Sequence, residues 1–454
     1  MSERSMRIAR SARAIVLAML AATACAPAPA SVGPRPVPTD LALTTFDTAW
    51  RIVYETHFDT TFNGVDWLAL REELRPRLEG EVSEAELRAT IGDMLGRLGQ
   101  SHFALIPREV ADTLDPAGDG AEVGDAGLDV RLVGDDVLVS RVDEGGAAWE
   151  AGIRPGWIVT TVGDEEVADI VSAAREVEQV GPLGPAYIVH ARVLRRTQGP
   201  PGTVCHLRLI DGEGVKREIE VKLLPTESQP VKLGNMPTFF SRFESEERSG
   251  LGVRAGVIWF NYWMVPLVRS IDEAIDRYRD ADGIVIDLRG NPGGVGAMVA
   301  GIAGHFLDEP ISLGVFRTRN STLDVRANPR RVAADGRRVE PFAGPLAILT
   351  DEQTGSASEV FAGGMQSIGR ARLFGLTTAG AVLPATMDRL PNGDVLYHAF
   401  AEFTTPEGVT LEARGVVPDE RVPLTRDDLL SGRDAALEAA LRWIAETRRE
   451  TGAP

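Results

Sequence analysis

The sequence predicts an α/β protein, and three observations point there. Two short apolar runs, Gly283 to Leu288 and Leu346 to Leu349, each feed a polar or glycine-rich corner and then a helical pattern, Val295 to Leu307 and Ser356 to Ile368. Between Gly127 and Leu224 the chain reads as β-rich, with Val130 to Leu132, Val137 to Val142, Ile158 to Val162 and Val204 to Ile210 as strands between Gly-Asp and Gly-Gly turns. From Leu41 to Leu98 the spacing is helical. Leu87, Ile91, Leu95 and Leu98 share a face, Ser83 with Glu86 forms a capping-box signature, and Gly99 is a natural stop.

Composition narrows the function classes. The 454 residues allow about three domains, with 44% hydrophobic and 25% charged residues, as in an ordinary globular chain. The 66 acidic residues exceed the 48 basic ones by 18, which speaks against nucleic acid or an anionic lipid surface as the main partner. Two cysteines, Cys25 and Cys205, without a CxxC spacing, exclude a zinc ribbon, an iron–sulfur cluster and a disulfide scaffold. No metal and no cofactor are expected. His305 with Asp308 and Glu309 has metal-compatible spacing, but a solvated helix end is the simpler reading.

The beginning of the chain reads as an address. Arg4, Arg7, Arg10 and Arg13 precede a short apolar run from Ala14 to Ala24, the pattern of a secretory signal and about half of the ~20 residues a membrane span needs. Ala22-Thr23-Ala24-Cys25 resembles a bacterial lipoprotein box, with Ala22 where such boxes favour Leu. Cleavage with a lipid on Cys25 and ordinary signal cleavage both remain open. The expected organisation is a signal peptide over 1–25, a Pro-rich linker over 26–40, a helical segment over 41–110, a β-rich domain over 123–225 and an α/β domain over 230–454. The β-rich domain resembles a PDZ domain. Ala151-Gly152-Ile153-Arg154-Pro155-Gly156-Trp157-Ile158 matches that family's turn except at Trp157, and Gly127, Leu128, Asp129 and Val130 fall where its peptide-binding loop lies. Such domains take up an extended peptide as an added strand. A β-rich spacer is the plainer alternative.

Two corners carry candidate chemistry. The loop Arg289-Gly290-Asn291-Pro292-Gly293-Gly294 has neither G-x-G-x-x-G nor G-K-[ST] spacing, so it is no nucleotide loop. It exposes backbone N–H groups at a helix start, which suits a developing negative charge. In Thr354-Gly355-Ser356-Ala357-Ser358-Glu359, Ser356 and Glu359 spell a capping box, and a cap is the plain reading of that serine. As a nucleophile it would need a base. Of six histidines, His57 and His305 lie in helical patterns, His190 and His206 in the β-rich part and His398 in a strand-like run. His102 stands beside Ser101 in a polar corner between helix and strand, where positioned catalytic groups often sit.

At this point the residues match a family. Asp282 to Gly294, Gly355-Ser356-Ala357-Ser358-Glu359 and Gly415-Val416-Val417-Pro418-Asp419 resemble, in this order, the motifs of the tail-specific, or C-terminal processing, serine peptidases. One branch uses a Ser–Lys dyad. Aligned on Thr378-Ala379-Gly380, this chain has Ala381 at the lysine position and Ala385 at the accompanying glutamine position. The other, tricorn-core branch has an L-G-x-S-H corner and a glutamate before the G-V-x-P-D motif, matched by Leu98-Gly99-Gln100-Ser101-His102 and by Glu412.

The resemblance implies Ser356 as nucleophile, His102 as base, Ser101 as the group orienting it, Glu412 polarising Ser101, and Gly293, Gly294 and Ala357 as oxyanion donors. It also implies a crotonase- or Clp-protease-like α/β superhelical core. The function expected from it is a serine endopeptidase of the bacterial envelope, periplasmic or lipid-anchored, acting on extended or unfolded proteins, with a histidine-controlled acid limb between pH 5 and 8. A catalytically inactive peptide or hydrophobic-ligand binding protein on the same fold is the alternative, and an esterase a weaker third. The Arg-rich stretch Arg317 to Arg338 reads as a solvated hairpin rather than a carboxylate clamp.

Overall fold

The computed structural model describes residues 36–109, 123–178, 184–232 and 238–451. The leader, Cys25 and most of the Pro-rich linker lie outside the described residues. Among those residues, no helix is long and apolar enough to cross a membrane.

The α/β expectation holds. A six-stranded sheet runs in the order Phe243–Gly250, Val253–Phe260, Gly283–Asp287, Leu346–Thr350, Arg372–Gly375, Glu420–Arg421. Its first pair is antiparallel and the others parallel. Gly283–Asp287 and Leu346–Thr350 are buried along their whole length, which is why both read as unbroken apolar runs rather than alternating ones. Helices Val268–Arg277, Ala297–Ala303 and Ala357–Ser367 cover one face, and Ala435–Thr451 packs on the other through Ala436, Ala440 and Ile444. The helix after the glycine loop starts later than Val295, because the Val295 N–H donates to Trp263 C=O at 2.7 Å and is held outside the helical ladder.

The second unit holds an antiparallel sheet ordered Lys216–Lys222, Val204–Ile210, Ile158–Val162, Asp136–Val142, Leu128–Val133. Reading this region as β-rich overlooks two helices, Val167–Glu178 and Pro185–Arg196. Val167, Ile170, Val171 and Ala174 pack at helical spacing into this unit's core, and Pro185 presets the first turn of the second helix.

Helices Thr39–Thr56, Trp67–Leu74 and Glu84–Gly96 form the N-terminal unit. The capping box is present there: Ser83 N–H donates to Glu86 Oε2 at 2.8 Å and Glu86 N–H to Ser83 Oγ at 3.2 Å. This unit is tied to the α/β unit by a sheet ordered Ala385–Arg389, Val395–Ala399, Ala104–Ile106, so the strand just after His102 pairs with one far downstream. The Arg-rich stretch overlaps the end of the hairpin formed by Ile311–Thr318 and Thr322–Ala327, with Arg317 paired to Glu402 and, beyond the hairpin, Arg337 to Asp335.

Candidate active site

The strand Leu346–Thr350 ends in a corner sewn to the glycine loop. Asp351 Oδ1 accepts the Gly290 N–H at 2.9 Å, and Thr354 Oγ1 donates to Leu288 C=O at 2.9 Å. Ser356 follows at φ 51°, ψ −118°, directly before helix Ala357–Ser367. For a residue with a side chain this backbone costs about 1–3 kcal/mol, and it persists only where surrounding bonds fix it. Here they do. The Ser356 N–H donates to Ala381 C=O at 2.9 Å and to Glu359 Oε2 at 3.0 Å.

Glu359 does more than cap. Its side chain is fully buried and also accepts from Thr378 Oγ1 at 2.5 Å, Gly380 N–H at 2.8 Å and Ala381 N–H at 3.0 Å. Burial pushes its pKa up to about 7, against the pull of these donors. The spacing of three from Ser356 identifies it only as a cap; its partners around residue 380 leave no local trace in sequence.

The second corner holds the histidine. His102 is buried at φ 62°. Ser101 Oγ lies 2.6 Å from His102 Nδ1 and donates to Glu412 Oε2 at 2.9 Å, while Ser101 N–H donates to Glu412 Oε1 at 2.7 Å. A hydroxyl has one proton. With that proton directed at Glu412, Ser101 Oγ accepts from Nδ1–H, which places the imidazole lone pair on Nε2. Desolvation pulls the His102 pKa down to about 4, so the ring is neutral at pH 7. Burial raises Glu412, with its N–H partners opposing. Glu412 Oε2 also accepts the Val382 N–H at 3.0 Å.

That last bond joins the corners. Ala381 C=O and Val382 N–H are the two ends of one peptide unit: the carbonyl accepts from Ser356, and the N–H donates to Glu412. Ser356, Glu412, Ser101 and His102 are thus brought together through a single peptide plane. Among the described residues the Ser356 hydroxyl makes no hydrogen bond to His102. Ala381, at the dyad-lysine position, is buried in an apolar cluster.

Of the three expected oxyanion donors, Gly293 serves differently. Its N–H donates to Asn291 Oδ1 at 2.9 Å and is occupied. Its role is steric, since a Cβ there would lie 2.6 Å from Ser356 Cβ. Trp263 N–H donates to Gly293 C=O at 2.9 Å, and Trp263 C=O accepts from Val295, so Gly294 turns its own N–H to the opposite side. The N–H groups of Gly294 and of Ala357, the first helical residue, have no partner among the described residues.

The remaining expected residues lie apart from this centre. Leu128–Val133 is an edge strand of the second unit's sheet, but Gly127 N–H donates to Asp125 Oδ1 at 3.0 Å and Val130 N–H to Asp129 Oδ1 at 2.8 Å. Asp129 in turn pairs with Arg131 and His190, each at 2.7 Å. Two of the four backbone donors expected to meet a peptide terminus are therefore occupied by carboxylates. His305 is buried against Asp272 at 2.8 Å rather than at a solvated helix end. A large cleft lined by Asp129, Arg131, Trp259, Arg289 and Arg433 contains neither Ser356 nor His102.

Comparisons with known proteins show what this chain is similar to. The model of peptidase family S41 matches residues 256–422, and that of the tricorn protease C1 domain matches residues 43–96. A carboxyl-terminal-processing protease of Synechocystis sp. is 26% identical over 405 residues, covering 87% of this chain and 84% of the relative. The chloroplastic carboxyl-terminal-processing peptidase 3 of Arabidopsis thaliana is 25% identical over 384 residues, covering 82% and 67%. The photosystem II D1 C-terminal processing protease shares the fold with a TM-score of 0.58 at 22% identity, over 89% of this chain and 97% of that one. The class is thereby defined as a serine-type peptidase. Residues 256–422 match peptidase family S41, and the chain as a whole is similar to relatives named carboxyl-terminal-processing proteases.

Proposed function

We propose that this chain is an exported serine endopeptidase of the bacterial cell envelope that cuts extended or unfolded proteins, with Ser356 as nucleophile and His102 as base. The observation that carries the reading is the Ala381–Val382 peptide unit, hydrogen-bonded to the Ser356 corner on one side and to the Glu412–Ser101–His102 chain on the other. Export rests on the basic and apolar leader before Cys25.

Substrate entry completes the contact between the Ser356 hydroxyl and His102 Nε2. Nε2 takes the hydroxyl proton as Oγ attacks the peptide carbonyl, and the imidazolium is stabilised through Ser101 by ionised Glu412. The oxyanion is held by the Gly294 and Ala357 N–H groups. His102 then returns the proton to the leaving amine, and water repeats the sequence on the acyl-enzyme. The PDZ-like unit presents the substrate along the edge strand Leu128–Val133.

Wild type and Ser356→Ala are compared on an unfolded protein substrate, with fluorophosphonate labelling read by mass. Loss of at least ~10³ in rate, and labelling of Ser356 in wild type alone, are expected. Equal cleavage by the two proteins would refute the assignment.

A further inference from the structure

Three tyrosines from separate parts of the chain converge beside the proposed centre. Tyr397 lies on strand Val395–Ala399, opposite Ala104, and its ring centroid is 5.5 Å from that of His102. Tyr262 precedes Trp263, which bridges to the oxyanion loop at Gly294, and its ring is 5.3 Å from Phe239. Tyr187 stands on helix Pro185–Arg196 of the second unit, whose apolar core takes in Ala381, the acceptor of the Ser356 N–H. All three rings are half-buried. Burial raises each phenol's pKa, and the phenols also act on one another, Tyr187 on Tyr397 and Tyr262 on Tyr187, while Asp129 acts on Tyr262. By geometry, Tyr397 stands against the base, Tyr262 adjoins the residue that bridges to Gly294, and Tyr187 packs on the cluster that holds Ala381.

Among the described residues none of the three hydroxyls has a hydrogen-bond partner. None of the three is a buried unpartnered group, so each hydroxyl keeps solvent contact and is open to a group that arrives. Aromatic rings beside a base and an oxyanion loop offer apolar contact area at low entropy cost.

We propose that Tyr187, Tyr262 and Tyr397 line the substrate cleft and select large apolar side chains flanking the scissile bond, with the phenol hydroxyls donating to substrate carbonyls. The inference rests on the reading of Ser356 and His102 as nucleophile and base. It narrows the substrate class to extended segments carrying a Phe- or Leu-like residue next to the cut.

The test uses internally quenched peptides that differ only by Phe or Ser on the acyl side, or on the amine side, of the scissile bond. In wild type kcat/KM favours Phe by about 10–200-fold on at least one side, the discrimination an apolar pocket provides. Alanine at position 187, 262 or 397 lowers that ratio at least about tenfold in one or more variants, mainly through KM. The phenylalanine variants Y187F, Y262F and Y397F keep the ring and hold the ratio, which separates lost selectivity from lost folding. Equal rates for the Phe and Ser peptides in wild type, or a ratio that survives all three alanine variants, overturns the proposal. Fluorophosphonate labelling of wild type is run alongside. Absence of label on Ser356 defeats the nucleophile assignment, whereas label with no Phe preference defeats the tyrosine proposal alone.

Discussion

Glu412→Gln isolates what the carboxylate does for the base. Glu412 accepts three hydrogen bonds, from Ser101 N–H at 2.7 Å, Ser101 Oγ at 2.9 Å and Val382 N–H at 3.0 Å. A glutamine has nearly the same shape but only one accepting atom. With its oxygen on Ser101 N–H, its NH₂ faces Val382 N–H and donates to Ser101 Oγ. The Ser101 proton must then turn to His102 Nδ1 at 2.6 Å, which leaves the hydrogen on Nε2 and removes the lone pair. With the amide reversed, the NH₂ faces Ser101 N–H as donor against donor. Either way a buried N–H is stranded, at about 1–3 kcal/mol. The wrong tautomer in a serine protease triad costs about 10⁴ in kcat, and the stranded donor alone corresponds to about five- to 150-fold. The expected loss in kcat on a quenched peptide at pH 7.5 is therefore at least about fivefold and up to about 10⁴, with a lowered melting temperature. A variant within threefold of wild type would refute the tautomer argument.

Other perturbations test neighbouring parts. The acid side of the pH–rate profile should not follow an ordinary histidine: with His102 at about 4, its limb falls below pH 5, while Glu359 at about 7 supplies a step near neutrality, because its protonation turns an acceptor towards the Ser356 and Ala381 N–H groups into a donor. Glu359→Gln should be slow and lack that step, and a variant that keeps it would contradict the assignment. His102→Asn tests linkage in stability. Unfolded His102 binds a proton near its ordinary 6.5 and the folded group only near 4, so the wild-type fold loses stability as pH falls through that window, by about 3 kcal/mol. In urea titrations the stability of the variant relative to wild type should rise by about that amount from pH 7 to 4; a constant difference would mean the ring is not desolvated. Gly293→Ala at φ 106° drives a Cβ into Ser356 Cβ and should abolish activity, whereas Gly296→Ala, with open space and φ −59°, should change melting by no more than the equivalent of about 1 kcal/mol. Equal activity losses in the two would show that the Gly293 contact is not the cause.

Much of this was legible because the local signals are strong. The buried strands Gly283–Asp287 and Leu346–Thr350, the Ser83 capping box and the serine-to-helix corner at Ser356 are set by nearest neighbours, so spacing alone finds them. What spacing did not reveal is what long-range contacts decide. The Gly293 N–H goes to Asn291 because the loop folds back on itself, and helices Val167–Glu178 and Pro185–Arg196 are hidden by turn residues on either side. The roles of Tyr187, Tyr262 and Tyr397 depend on three segments meeting, and no one of those segments carries a motif.

The backbone shows how strongly the fold commits to this centre. Among the described residues six non-glycine positions have positive φ, and three of them are His102, Ser356 and Ala413. Each lies at a corner of the proposed site: His102 and Ser356 are its reacting groups, and Ala413 directly follows Glu412. Propensity alone would place glycine there. Each strained residue is instead fixed by bonds crossing the chain, Ala413 N–H to Gly380 C=O at 2.8 Å, Ser356 N–H to Ala381 C=O at 2.9 Å, and Ser101, next to His102, to Glu412. Two of those three ties end on neighbouring residues, Gly380 and Ala381, and the Glu412 carboxylate that receives the third also accepts the N–H of Val382. A distortion in segment 380–382 would therefore release the nucleophile, the Glu412 turn and the support of the base together, and this short segment couples the far-separated halves of the chain into one site.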